Sequence, residues 1–260
     1  MPMAKFYTQI LTHNDCYLAG KTITPRGVMV HSTGANNPRL SRYVPGNAVI
    51  GYNTGGNHWD QDRDGVCVHG FIGKLLDGSV GVAQVLPWNC RCGHCGAGSK
   101  GSANNTHIAF EICEDGLQDA GYFGAVYQAA VELTADLCKQ YGLDPLADGV
   151  VICHSEGHAR GIASNHADVM HWFPRFGKNM DTFRADVARA LEGDDDMKQE
   201  QWDAMMENWM ARKAREEADQ PWEQQAIAKA QAAGISDGQR PRAIPTRVEV
   251  MAMVTAAMGQ

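Results

Sequence analysis

The chain has 260 residues, of which 44% are hydrophobic and 20% charged, and a formal net charge of −7. That length suits one sizeable domain plus a small module, with the balance of an ordinary globular chain. The absence of a long basic run argues against a nucleic-acid binder, and no apolar run is long enough to span a bilayer.

The first ten residues hold neither a long apolar stretch nor a cleavage pattern, so no secretory signal is expected and the chain is expected to be made in the cytoplasm. Residues 27–34 (Gly-Val-Met-Val-His-Ser-Thr-Gly) predict a short buried strand that ends in a polar loop. Residues 66–87 predict a hairpin, with arms at 66–72 and 80–86 around a turn at Leu76-Asp77-Gly78-Ser79. Residues 88–106 are rich in Gly, Asn, Ser and Cys and read as a loop, and residues 107–113 as a strand. Phe123, Val126, Tyr127, Ala130, Leu133, Thr134, Leu137 and Tyr141 then recur at three-and-four spacing, the apolar face of a helix that Gly142 ends. Residues 149–153 predict another strand with His154 at its carboxyl end, and residues 179–191 a second helix. Together these elements make an α/β domain, a central mixed sheet flanked by helices.

Composition shifts at Glu192-Gly193-Asp194-Asp195-Asp196, a charged boundary. Residues 197–218 read as a polar helical linker with Trp202, Met205, Met206, Trp209 and Met210 on one side. Residues 219–260 read as a small helical module. A helix over 223–233 stops at Gly234, and Thr246, with Glu249 three residues on, caps a second helix whose apolar face is Val250, Met253, Val254 and Ala257. The expected organisation is a catalytic domain over 1–191, a linker over 192–218 and a module over 219–260.

Three places set a metal-competent side chain beside a strand end: His31, His154, and the run Asn165-His166-Ala167-Asp168. A catalytic zinc wants three His, Cys or carboxylate ligands and one open position. No His-Glu-x-x-His helix occurs, so the residues by themselves point only to a metal hydrolase. Cys90, Cys92 and Cys95, with His94 among them, are spaced so that they could hold a structural metal. The eight cysteines are otherwise read as thiols of a reducing compartment. The run Gly98-Ser99-Lys100-Gly101-Ser102 lacks the Gly-Lys-Ser/Thr ending of a phosphate loop and is not read as one.

Three strings occur in an order that resembles a known family: Val28-Met29-Val30-His31-Ser32-Thr33-Gly34, Ile108-Ala109-Phe110-Glu111-Ile112-Cys113 and Val151-Ile152-Cys153-His154-Ser155-Glu156. They are similar to the zinc N-acetylmuramoyl-L-alanine amidases, relatives of phage lytic amidases and peptidoglycan recognition proteins. The resemblance covers roughly residues 20 to 190. It implies a peptidoglycan-recognition-protein-like fold and a zinc ion held by His31, His154 and a third ligand. Asp168 fits that third place, with Trp172-Phe173 just beyond it, and His166 or His171 are the alternatives. If Asp168 is the ligand, His166 takes the place of the basic residue that steadies the oxyanion two positions earlier. Glu111 matches the family's proton-transferring acid, and His69, His94 and Asn105 match landmarks of the substrate groove.

The implied substrate is bacterial peptidoglycan, and the implied setting is a phage or prophage endolysin that reaches the wall after release. A non-catalytic peptidoglycan-binding protein on the same fold is the alternative. The C-terminal module is similar to a single S-layer-homology repeat, which implies a secondary wall polymer as a further partner.

Overall fold

Strands β1 (Lys5–Thr8), β2 (Gly27–Asn36), β5 (Gly70–Lys74), β6 (Val80–Gln84), β7 (His107–Glu114) and β8 (Val151–Cys153) form one sheet in the order β1-β6-β5-β7-β2-β8. Only the β5–β6 hairpin is antiparallel; the other neighbours run parallel. A separate two-stranded ribbon pairs β3 (Gly46–Asn47) with β4 (Gly51–Tyr52). Among the described residues the helices include α1 (Asp15–Leu18), α2 (Ala120–Tyr141), α3 (His154–Ala159), α4 (Met180–Asp195) and α5 (Pro221–Ala232). This computed structural model describes residues 5–61, 65–195, 206–208, 221–235, 250 and 254. The chain divides into two units, Met1–Gly193 and Asp194–Gln260.

Strand alternation decides what the sheet offers on each face. Val28, Val30, Ile108, Phe110 and Ile112 join Phe123, Val126, Tyr127 and Ala130 of α2 in the main core, which Phe183 and Val187 of α4 extend. Met29, Ala109 and Cys113 have the opposite parity and pack into other clusters. His31 and Glu111 share that second parity and sit in register across the β2–β7 pair, so the period of two sets them side by side on the face away from α2. Asp119 caps α2 by accepting from the Tyr122 N–H, and Gly142 closes it at φ 63°, a left-handed position that glycine takes without strain.

The mixed sheet and its flanking helices match the sequence reading, which did not expect α1, α3 or the β3–β4 ribbon and differs from the sheet at two further places. β1 lies in the segment read only for a signal, and it adds a parallel edge to β6. The first hairpin arm begins at Gly70, not at residue 66, because residues 66–67 bond the following loop instead: Val66 bridges Gly93, and the Cys67 N–H donates to the Gly93 carbonyl at 3.2 Å. In the second unit, α5 covers the helix expected over 223–233, and Gly234 follows it at φ 67°. The linker helix, apart from residues 206–208, and the second C-terminal helix, apart from Val250 and Val254, lie outside the described residues. No described helix is long and apolar enough to cross a membrane.

Candidate metal centre

Three elements carry the convergent side chains. β2 presents His31 directly after the buried Val28, Met29 and Val30, and His31 is itself 1% exposed. β8 ends at Cys153, so His154 opens α3. Glu156 fixes that junction by accepting from the Cys153 N–H at 3.2 Å, and Arg184 of α4 grips the same carboxylate. The Asp168 segment is tied in by the His154 N–H, which donates to the Asp168 carbonyl at 3.1 Å. Val169, Trp172 and Phe173 are fully buried just beyond it and hold the segment down.

His31 Nδ1 lies 2.9 Å from Asp168 Oδ2 and 3.2 Å from His154 Nδ1, and His154 Nδ1 lies 3.6 Å from Asp168 Oδ2. Zinc–nitrogen bonds of 2.0–2.1 Å in a tetrahedron set neighbouring ligand atoms about 3.3 Å apart. The three separations bracket that edge, and these residues form the group able to hold a metal ion among the described residues. The electrostatics agree. Burial lowers the His31 pKa against the pull of Asp168. Burial would raise the Asp168 carboxyl, but the His154 and His31 rings beside it outweigh that and hold it far below the usual range. A neutral His31 imidazole beside an ionised Asp168 carboxylate is the protonation state that metal binding needs.

A cavity of about 560 Å³ opens over the trio, lined also by Trp59, His94, Glu111, Ser164, His166 and His171. Burial, followed by the charges of Asp168 and Glu114, pushes the Glu111 carboxyl well above its ordinary value. Its Oε2 is buried with no hydrogen-bond partner among the described residues, as is His94 Nε2. A carboxyl kept basic beside a metal position is suited to taking a proton from water and delivering it. His166 is exposed, with its ring centroid 4.7 Å from that of His154. His171 is turned to Glu114, Nε2 to Oε1 at 2.8 Å, and His171 and His166 both stand outside the convergent trio. His94 reaches the cavity, but its Nδ1 faces His31 Nε2 at 3.1 Å.

Two residues expected in the groove are not brought to the cavity. His69 is fully buried. Its Nε2 donates to the Cys90 carbonyl at 2.7 Å and its Nδ1 accepts from the Ala109 N–H at 3.0 Å, so it braces the sheet against the loop. Desolvation lowers its pKa to about 4. Asn105 is exposed and accepts from Arg91 Nε at 3.2 Å. Its neighbour Asn104 is the inward one, and its Oδ1 takes the N–H groups of His94 and Cys95. The Cys90, Cys92 and Cys95 thiols go to different partners, respectively the Cys16 carbonyl, the His69 ring and Asn104 Oδ1. They do not converge, and all eight cysteines are buried thiols without disulfides. The sequence reading missed Asn104, Ser164 and Glu114. The doubled Asn104-Asn105 before a strand was a signal for the first, while nothing in the local sequence marks the other two.

Residues 21–172 match a family model described as N-acetylmuramoyl-L-alanine amidase. No curated protein matches the chain. Among solved structures, the chain is similar in fold to the Staphylococcus aureus hydrolase AmiA, seen in complex with its ligand. The TM-score is 0.51 at 15% identity, over 74% of this chain and 85% of that one. It is also similar to a mutant of PlyL, with a TM-score of 0.50 at 19% identity, over 72% of this chain and 98% of that one.

Proposed function

The chain belongs to the N-acetylmuramoyl-L-alanine amidase family, and on that premise we propose that it hydrolyses the amide bond between N-acetylmuramic acid and L-alanine in peptidoglycan, with zinc held by His31, His154 and Asp168. The observation that carries this reading is the convergence of the two Nδ1 atoms and one carboxylate oxygen at tetrahedral spacing beside Glu111. Bound there, zinc supplies electrophilic polarisation of the scissile carbonyl and activation of a water. Glu111 takes the proton of the attacking water and returns it to the departing alanine nitrogen. His166, on the exposed side of His154, donates to the oxyanion that develops on the carbonyl. The complete ligand trio and an unpaired buried Glu111 oxygen favour an enzyme over a protein that only binds wall fragments.

The wider setting we propose is a phage or prophage endolysin. In it, residues 1–191 cleave, 192–218 link, and 219–260 hold the enzyme to the wall, with a secondary wall polymer as the second ligand. The test is mass spectrometry of digested walls together with metal analysis of the purified chain. The expected products are intact glycan and free stem peptides that begin with L-alanine, with one zinc per chain. New reducing ends, or cleavage within the peptide, would overturn the assignment.

A further inference from the structure

We propose that the 93–96 loop is the outer shell of the metal centre, with His94, Ser164 and Asn104 as positioning residues that hold both ligand histidines in the Nδ1-coordinating form. This inference rests on the zinc reading above and adds the groups that aim the ligands.

The ring nitrogens facing the trio's centre are His31 Nδ1 and His154 Nδ1, 3.2 Å apart. A neutral imidazole that offers Nδ1 to a metal carries its proton on Nε2, and the partner of that N–H decides ring orientation and tautomer. His154 Nε2 lies 3.2 Å from Ser164 Oγ. Ser164 Oγ also lies 2.9 Å from the Cys95 carbonyl, which can only accept. A hydroxyl has one hydrogen. With that hydrogen on the Cys95 carbonyl, Ser164 can only accept from His154, so the His154 proton is pinned to Nε2 and Nδ1 keeps its lone pair for the metal.

The second ligand ends on the same loop. His31 Nε2 lies 3.1 Å from His94 Nδ1, and both atoms are ring nitrogens, so one must donate. Metal at His31 Nδ1 makes His31 the donor and His94 the acceptor. The His94 proton then sits on Nε2, the atom without a partner among the described residues.

The loop that receives both N–H groups is itself fixed. Asn104, 6% exposed, takes the His94 and Cys95 N–H groups on Oδ1 at 2.9 and 3.0 Å, and its Nδ2 donates to the Gly96 carbonyl at 3.3 Å. The Ser164 N–H adds a bond to the Cys95 carbonyl at 2.8 Å. At Gly93 a Cβ would come within 2.3 Å of the Gly65 carbonyl oxygen, so only glycine lets the loop lie this close to the 65–66 segment. Ligands from two distant parts of the chain are therefore aimed by one loop, and one buried amide holds that loop.

The test is zinc affinity of the full chain, measured by competition with a chromogenic chelator, together with the visible spectrum of the cobalt-substituted protein. Ser164→Ala and His94→Leu are each expected to weaken zinc binding roughly 10–100-fold and to perturb the cobalt bands, in line with other outer-shell losses. Ser164→Thr keeps the hydroxyl and His94→Asn keeps an acceptor near the Nδ1 position, so both should stay within a few-fold of wild type. If Ser164→Ala melts before it can be titrated, the His94 pair decides alone. Wild-type affinity and spectrum in both disruptive variants would overturn the inference and leave the zinc reading standing. A wild-type chain that takes up no zinc would overturn both.

Discussion

Glu111→Gln separates proton handling from metal binding. Glu111 lies in register with His31, outside the ligand trio, with Oε2 buried and unpaired and its carboxyl held well above its ordinary pKa by burial and then by Asp168 and Glu114. A positioned acid–base group contributes about 10²–10⁴-fold in rate, or about 3–5 kcal/mol of barrier. The amide has the same shape, so ligand geometry should survive. It also replaces a desolvated carboxyl beside two other carboxylates with a neutral group, which removes an unfavourable burial. The expected result is therefore a split: kcat on soluble muropeptides falls by about 10²–10⁴-fold, zinc affinity by chelator competition stays within a few-fold, and the melting temperature is unchanged or higher. Turnover within a few-fold of wild type would refute the proton role, and zinc loss would move Glu111 among the ligands.

Three further outcomes are expected. His31→Ala removes the ligand nearest both others, so zinc content and wall lysis should be lost while the melting temperature of the metal-free chain changes little; an active variant would exclude this metal site. His69 has its pKa lowered from 6.5 to about 4 by burial, so the unfolded chain binds the proton more readily. Its contribution to stability is full above about pH 6.5 and is lost as pH falls toward 4, a total of about 3 kcal/mol. Urea unfolding at pH 7, 5 and 4 should show a shallower loss in His69→Gln than in wild type, and identical pH dependence would remove this role. A truncation after Asp195, the last residue of α4, should still cleave soluble muropeptides but sediment poorly with intact walls. Unchanged pelleting would count against wall anchoring by the C-terminal unit.

The sheet and α2 were legible because each repeats its chemistry at its own period: two in Val28, Val30 and in Ile108, Phe110, Ile112, and three-to-four along Phe123 to Tyr141. β1 was not. It has four residues, mostly exposed, so it carries no alternation, and its place comes from pairing with β6 more than seventy residues away. The candidate trio was legible only as ordered motifs. Its contacts span 137 residues from His31 to Asp168 and 123 from His31 to His154, and no local pattern encodes such separations. Asn104 and Asn105 show the limit most sharply. They are identical neighbours in one short 3-10 turn, and only the phase of that turn sends the first to the loop and the second to solvent.

Glu114 shows why strand β7 organises the site beyond contributing Glu111. It lies three residues along the same strand, 4% exposed, and its Oε1 accepts both the Gly34 N–H at 3.2 Å and His171 Nε2 at 2.8 Å. Gly34 is three residues past His31, and His171 three past Asp168. One buried carboxylate thus ties the exits of the segments that carry His31 and Asp168 to strand β7. Side chains held this way would need little reorganisation to hold an ion, since the ordering cost was met when the sheet folded. His171 stands outside the convergent trio, with its Nε2 held by that buried carboxylate. Withdrawing that nitrogen would leave Glu114 Oε1 with the Gly34 N–H and cost one hydrogen bond to a carboxylate, a loss on the order of 1.5–3 kcal/mol.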